Sequence, residues 1–74
     1  MKKYVICRES RETRDRTFGI VDWEDNKPVS IQWTDNVDIA DTFSSGEDAI
    51  RSCNALITDD DNINYIHYLE IINL

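Results

Sequence analysis

Apolar residues recur along this chain in two rhythms. KYVIC (3–7), TFGIVDW (17–23), VSIQWT (29–34) and YIHYLEIINL (65–74) are short runs rich in β-branched and aromatic residues. That composition suits a pleated, half-buried surface. VSIQWT alternates cleanly, with Val29, Ile31 and Trp33 facing one way and Ser30, Gln32 and Thr34 the other. A period of two predicts a strand covered on one face, at or near a sheet edge. FSSGEDAIRSCNALI follows a different period. Ala49, Ile50, Cys53, Leu56 and Ile57 recur at spacings of three and four, with Arg51, Ser52 and Asn54 on the other side. This stripe predicts one amphipathic helix over 45–57. Ser44 with Glu47, or Ser45 with Asp48, supplies a capping box at its start, and acids in the first turn suit the helix dipole.

The connections read from their turn chemistry. EDNKP (24–28) predicts a turn, with Pro28 unable to donate to a ladder at its own position. DNVDIAD (35–41) predicts an irregular acidic connection, and TDDDNIN closes the helix with short polar side chains. Gly19 marks a bulge or a close approach of backbones. The order is therefore β-β-β-α-β: an α+β fold, with an antiparallel-rich sheet of about four strands and one amphipathic helix packed on one face. The expected unit is a single small domain spanning residues 1–74.

Strands one and four are apolar on both faces. Tyr4 and Ile6 oppose Val5 and Cys7; Tyr65, Leu69 and Ile71 oppose Ile66, Tyr68, Ile72 and Leu74. One short helix covers one face of a four-stranded sheet. Part of the second face is thus expected to meet another copy or another protein.

The formal charge is −7, yet RESRETRDR (8–16) holds four arginines against Glu9, Glu12 and Asp15, a net of +1 that leaves −8 on the rest. An acidic body repels a phosphate backbone, so general nucleic-acid binding is disfavoured except through this arginine-rich loop. The run contains no apolar residue and predicts an extended hairpin loop between strands one and two. Arg8, Arg11, Arg14 and Arg16 are its candidate partner-binding residues, since guanidinium groups make bidentate contacts to acidic surfaces. The alternative reading is a hydrated loop that blocks edge pairing. A second candidate surface gathers Asp22, Glu24, Asp25, Asp35, Asp38 and Asp41 in the connections flanking strand three, where carboxylates could imitate a phosphate array and enter a basic groove.

Catalysis finds little footing. His67, the single histidine, sits mid-strand with no serine, cysteine or acid at a spacing that suggests a nucleophile–base pair. The acidic loop matches a calcium-binding pattern only in part: Asp59, Asp61 and Glu70 fall at positions one, three and twelve, but Asn64 stands where the loop needs glycine. No metal, cofactor or catalytic residue is expected. Cys7 and Cys53 lie in apolar segments and read as two core thiols of a reducing cytosol. The start, MKKYVICRES, has too short an apolar run for a signal peptide, and no run approaches a membrane span.

K-Y-V-I at 3–6, TFGIVDW, VSIQWT, A-D-T-F-S-S-G-E-D-A at 40–49 and Y-L-E-I-I-N-L at 68–74 resemble a loose class of small phage and prophage accessory proteins. The resemblance implies a β-sheet with one covering helix. Some small acidic proteins of that class inhibit host nucleases or defence complexes by binding them. The expectation is a non-enzymatic binding protein in the host cytoplasm that contacts a host macromolecular complex. The alternatives are a homo-oligomerising assembly protein and a small nucleic-acid-associated regulator using the arginine-rich loop.

Overall fold

A computed structural model describes residues 2–73. It contains β1 (Lys2–Ser10), β2 (Arg16–Glu24), β3 (Lys27–Thr34), α1 (Gly46–Leu56) and β4 (Tyr65–Asn73), with single 3-10 turns at Val37–Ile39 and Asp60–Asn62. The strands form one sheet in the order β3-β2-β1-β4, and every neighbouring pair is antiparallel. The predicted α+β fold and its β-β-β-α-β order are therefore present. Leu74, assigned to the last strand from its pattern, lies outside the described residues.

The β2–β3 turn is tighter than the composition of EDNKP indicates. Only Asp25 and Asn26 lie outside the strands, with φ of 51° and 64°. Two consecutive left-handed residues make the hairpin turn whose twist matches its strands, and Asp and Asn tolerate that region best after glycine. Pro28 sits within β3 opposite Trp23, as an edge strand permits. The register steps from Asp22↔Ser30 to Trp23↔Pro28, so Val29 is the extra residue of a bulge. Val29, predicted to be covered beside Ile31 and Trp33, falls at this irregularity and is half exposed.

The β1–β2 hairpin corrects a larger expectation. Residues 8–16 are not one extended loop: Arg8, Glu9 and Ser10 belong to β1, Arg16 begins β2, and only 11–15 connect them. The Ser10 N–H donates to the Asp15 carbonyl at 2.9 Å, and Arg14 turns the chain at φ 66° while its N–H donates to the Ser10 carbonyl.

β1 and β2 pair directly only at Cys7↔Phe18, Arg8↔Thr17 and Glu9↔Arg16. Beyond these pairs the strands part, and residues 41–43 fill the fork. Phe43 exchanges two backbone hydrogen bonds of 2.8 Å with Tyr4, and the Asp41 N–H donates to the Gly19 carbonyl at 3.0 Å. The Asp41 carboxylate accepts the Val21 N–H, which β1 has left without a partner.

Two apolar clusters lie on opposite sides of the sheet. Ile6, Val21, Phe43 and Ala49 form the first, against α1. Val5, Cys7 and Phe18 form the second, against Val37 and Ala40. The chain therefore passes from one face to the other through the fork. The second face was expected to lack cover within the chain over strand one. Instead the connection after β3 seals it, and Val5 and Cys7 are fully buried. Burying such a side chain contributes about 1.5–3 kcal/mol, enough to explain why an irregular segment holds this position.

The helix begins with Ser45 as N-cap, its Oγ accepting the Glu47 N–H at 3.1 Å. Ser44 instead accepts a hydrogen bond from Lys3 Nζ at 2.8 Å. The buried stripe is rotated from its predicted position. Ser52 is buried, with its hydroxyl donating to the Asp48 carbonyl, while Ile50 is half exposed. Gly19 marks a close approach: a Cβ there would lie 2.8 Å from Ile31 Cδ1 and 3.4 Å from Ile6 Cβ. Cys7 and Cys53 are both free thiols and lie on opposite faces of the sheet, so no bond joins them.

Candidate partner-binding surfaces

The four hairpin arginines do not form one projecting basic arm. Arg8 lies on the helix-side face, its guanidinium carbon 4.4 Å from the Trp33 ring centroid and 4.2 Å from that of Tyr65. Strand order explains the contact, because β1 runs beside β4 and Trp33 leans over β2 above Gly19, its cross-strand partner. Cation–π stacking stabilises the guanidinium, but its Nε is buried with no acceptor. His67 pairs with Arg8 across the ladder. Its ring stands 5.7 Å from Trp33 and 6.4 Å from Tyr65, and Nδ1 bonds Asn62 Oδ1 at 2.7 Å. Burial first, and the Arg8 charge second, push His67 below its ordinary basicity.

The other three arginines hold local structure together. Arg11 is exposed and clamps the hairpin to the chain before β4: its N–H donates to the Asn64 carbonyl at 2.9 Å and its Nε to the Asn62 carbonyl at 3.1 Å. Arg14 pairs with Glu9 at 3.2 Å. Arg16, on the face opposite Arg8, pairs with Glu70 at 3.3 Å, and Glu70 also accepts the Cys7 thiol at 3.3 Å.

The six acids predicted as one surface divide into three places. Asp22, Glu24 and Asp25 are exposed at the β2–β3 turn, where Asp22 accepts the Ser30 hydroxyl at 2.8 Å. Asp35 and Asp38 follow β3 at its far end, roughly 25 Å away along an eight-residue strand. Asp41 is turned into the fork and serves the backbone. Among the described residues the ion pairs are Arg14–Glu9, Arg16–Glu70 and Arg51–Asp48. Among the described residues, twelve of the fifteen acids therefore have no cationic partner.

Two shallow depressions open on the helix side. One of about 430 Å³ lies between the β2–β3 turn and α1, lined by Trp23, Pro28, Asp41, Phe43 and Arg51. The other, about 330 Å³, runs beside β4 and holds both Cys53 and His67. These two do not form a nucleophile–base pair. Burial pushes the Cys53 thiol up, the reverse of the activation a thiolate nucleophile needs, and Nδ1 of His67 is engaged with Asn62. Burial and the bond to Glu70 push Cys7 up to about 12. In the acidic loop, Asp61 accepts both the N–H and the hydroxyl of Thr58, and those bonds hold its carboxyl below the usual range. Among the described residues no group of three metal-ligating side chains converges, and no helix is long and apolar enough to cross a membrane.

The aromatic partners of Arg8 carry no signal in the sequence. Trp33, Tyr65 and His67 are far from Arg8 in the chain, and only the β3-β2-β1-β4 order brings them together. Comparison with protein-family models, with curated proteins and with solved structures finds no match to this chain.

Proposed function

We propose that this protein is a non-enzymatic acidic binding protein, of the phage accessory type its sequence resembles. In this reading it modulates or inhibits a host nucleic-acid-processing or defence complex by protein–protein contact. The observation that carries the reading is the charge left after folding. The arginine run is drawn into the sheet and its local pairs, while twelve acids stay without a cationic partner among the described residues. Asp22, Glu24 and Asp25 at the exposed β2–β3 turn are the residues assigned to the contact. Carboxylates on a tight hairpin present negative charge at fixed positions, which speeds encounter with a basic groove and disfavours acidic partners. A nucleic-acid ligand is disfavoured by the same charge.

The test is capture from a nuclease-treated host lysate with the wild type and with the triple variant Asp22→Asn, Glu24→Gln, Asp25→Asn. The expected result is a protein partner held by the wild type, released by salt, and not held by the variant, with unchanged circular dichroism. Equal capture by the variant, or loss of the bound material on nuclease treatment, would refute the reading.

A further inference from the structure

The two edges of the sheet differ. β3 carries Lys27, Pro28 and the bulge at Val29, three devices that discourage pairing with another strand. β4 has none of them. It is nine residues long with unbroken register against β1, and its single carboxylate, Glu70, is paired with Arg16. Among the described residues, no backbone hydrogen bond joins β4 to any segment besides β1.

The groups that point outward follow from the ladder itself. Tyr4 spends its N–H and carbonyl on Phe43, on the β2 side. Tyr4↔Ile71 is therefore a non-hydrogen-bonded pair of the β1–β4 ladder. By alternation, Tyr65, His67, Leu69, Ile71 and Asn73 turn their N–H and carbonyl groups away from β1.

We infer that these groups pair with β4 of a second copy, antiparallel about a two-fold axis at Leu69, so that two four-stranded sheets join into one of eight strands. This inference is independent of the proposed acidic contact. The occupant is chosen by self-complementarity. With Leu69 opposite Leu69, all nine residues are used: Tyr65 meets Asn73, His67 meets Ile71, and every outward residue faces another outward residue. On the other face Ile66 meets Ile72 and Tyr68 meets Glu70. Shifting the axis to Glu70 would set two carboxylates against each other, which is destabilising. Shifting by half a residue would oppose outward groups to inward ones. In the favoured register Ile71, now 53% exposed, is covered.

Sedimentation of the wild type across a wide concentration range, with amide exchange by NMR, tests this. The expected result is a concentration-dependent dimer whose Leu69, Ile71 and His67 amides are protected, and exchange faster on dilution to monomer. Ile71→Pro removes a donor that β1 does not use. With circular dichroism unchanged, it should weaken the dimer by at least about tenfold, from two lost hydrogen bonds per dimer. A monomer at every concentration, as expected if the edge instead receives an extended segment of another protein, overturns the inference. So does a dimer whose Leu69 and Ile71 amides exchange freely.

Discussion

Replacing Asp41 tests the architecture most directly, because one carboxylate closes the fork between β1 and β2. Its oxygen accepts the Val21 N–H where β1 has already diverged. Asp41→Ala removes a charge-assisted bond worth about 1.5–3 kcal/mol and leaves a buried donor unpaired. A 74-residue chain has a total stability of about 4–11 kcal/mol, so the change removes a large part of it. The expected fall in Tm is roughly 6–24 °C, at about 4–8 °C per kcal/mol for a domain of this size. Asp41→Asn keeps an oxygen acceptor and loses only the charge, so its cost should be about half as large. Asp22→Ala, on an exposed neighbour, is the control and should stay within about 0.5 kcal/mol of the wild type. Urea and thermal denaturation followed by circular dichroism measure all three. If Asp41→Ala proves no more destabilising than Asp22→Ala, the carboxylate does not hold the fork.

Gly19→Val should lower the urea midpoint by the equivalent of about 1–3 kcal/mol, because even a Cβ meets Ile31 at 2.8 Å. His67 is less basic folded than its ordinary 6.5. The unfolded chain therefore binds more protons just below that pH, and stability should fall as pH drops through this window. His67→Phe should flatten the fall in denaturation curves at pH 5–7. Cys7 behaves oppositely: its thiol is raised from 9.0 to about 12, so the folded state holds the proton longer and stability should decline as pH rises above 9. Native protein at pH 8 should leave Cys7 unlabelled by a thiol reagent, with labelling appearing in urea.

The sequence displays what depends on local pattern. Each strand and the helix are legible because apolar spacing and the serine cap are short-range signals. Departures arise where a tertiary pairing overrides the local signal. Arg8 and Arg16 read as loop because neither is apolar, yet cross-strand pairing with Thr17 and Glu9 extends the ladder through them. Val29 alternates perfectly in sequence, but it falls at the bulge beside Pro28 and is half exposed. Ser52 reads as polar and outward, whereas its hydroxyl is satisfied within the helix and can be buried. The cover over Val5 and Cys7 is hidden for another reason. Val37 and Ala40 are too few and too irregular to register as an element, and they matter only once the chain crosses the sheet. The surface acids at the β2–β3 turn are legible by composition. Asp41 looks the same and proves structural, because the fork that recruits it is a feature of strand divergence.

That divergence also governs how the molecule comes apart. Mechanically the sheet is two separate ribbons, β3 with β2 and β1 with β4, hinged at three residue pairs near one end. At the other end, among the described residues, the hydrogen bonds between them run through Phe43 and Asp41, over the core that Ile6 and Val21 share with α1. Releasing these contacts lets the ribbons swing open while each stays zipped. The amides of Tyr4, Val21 and Phe43 should then become labile together, ahead of those inside either ribbon.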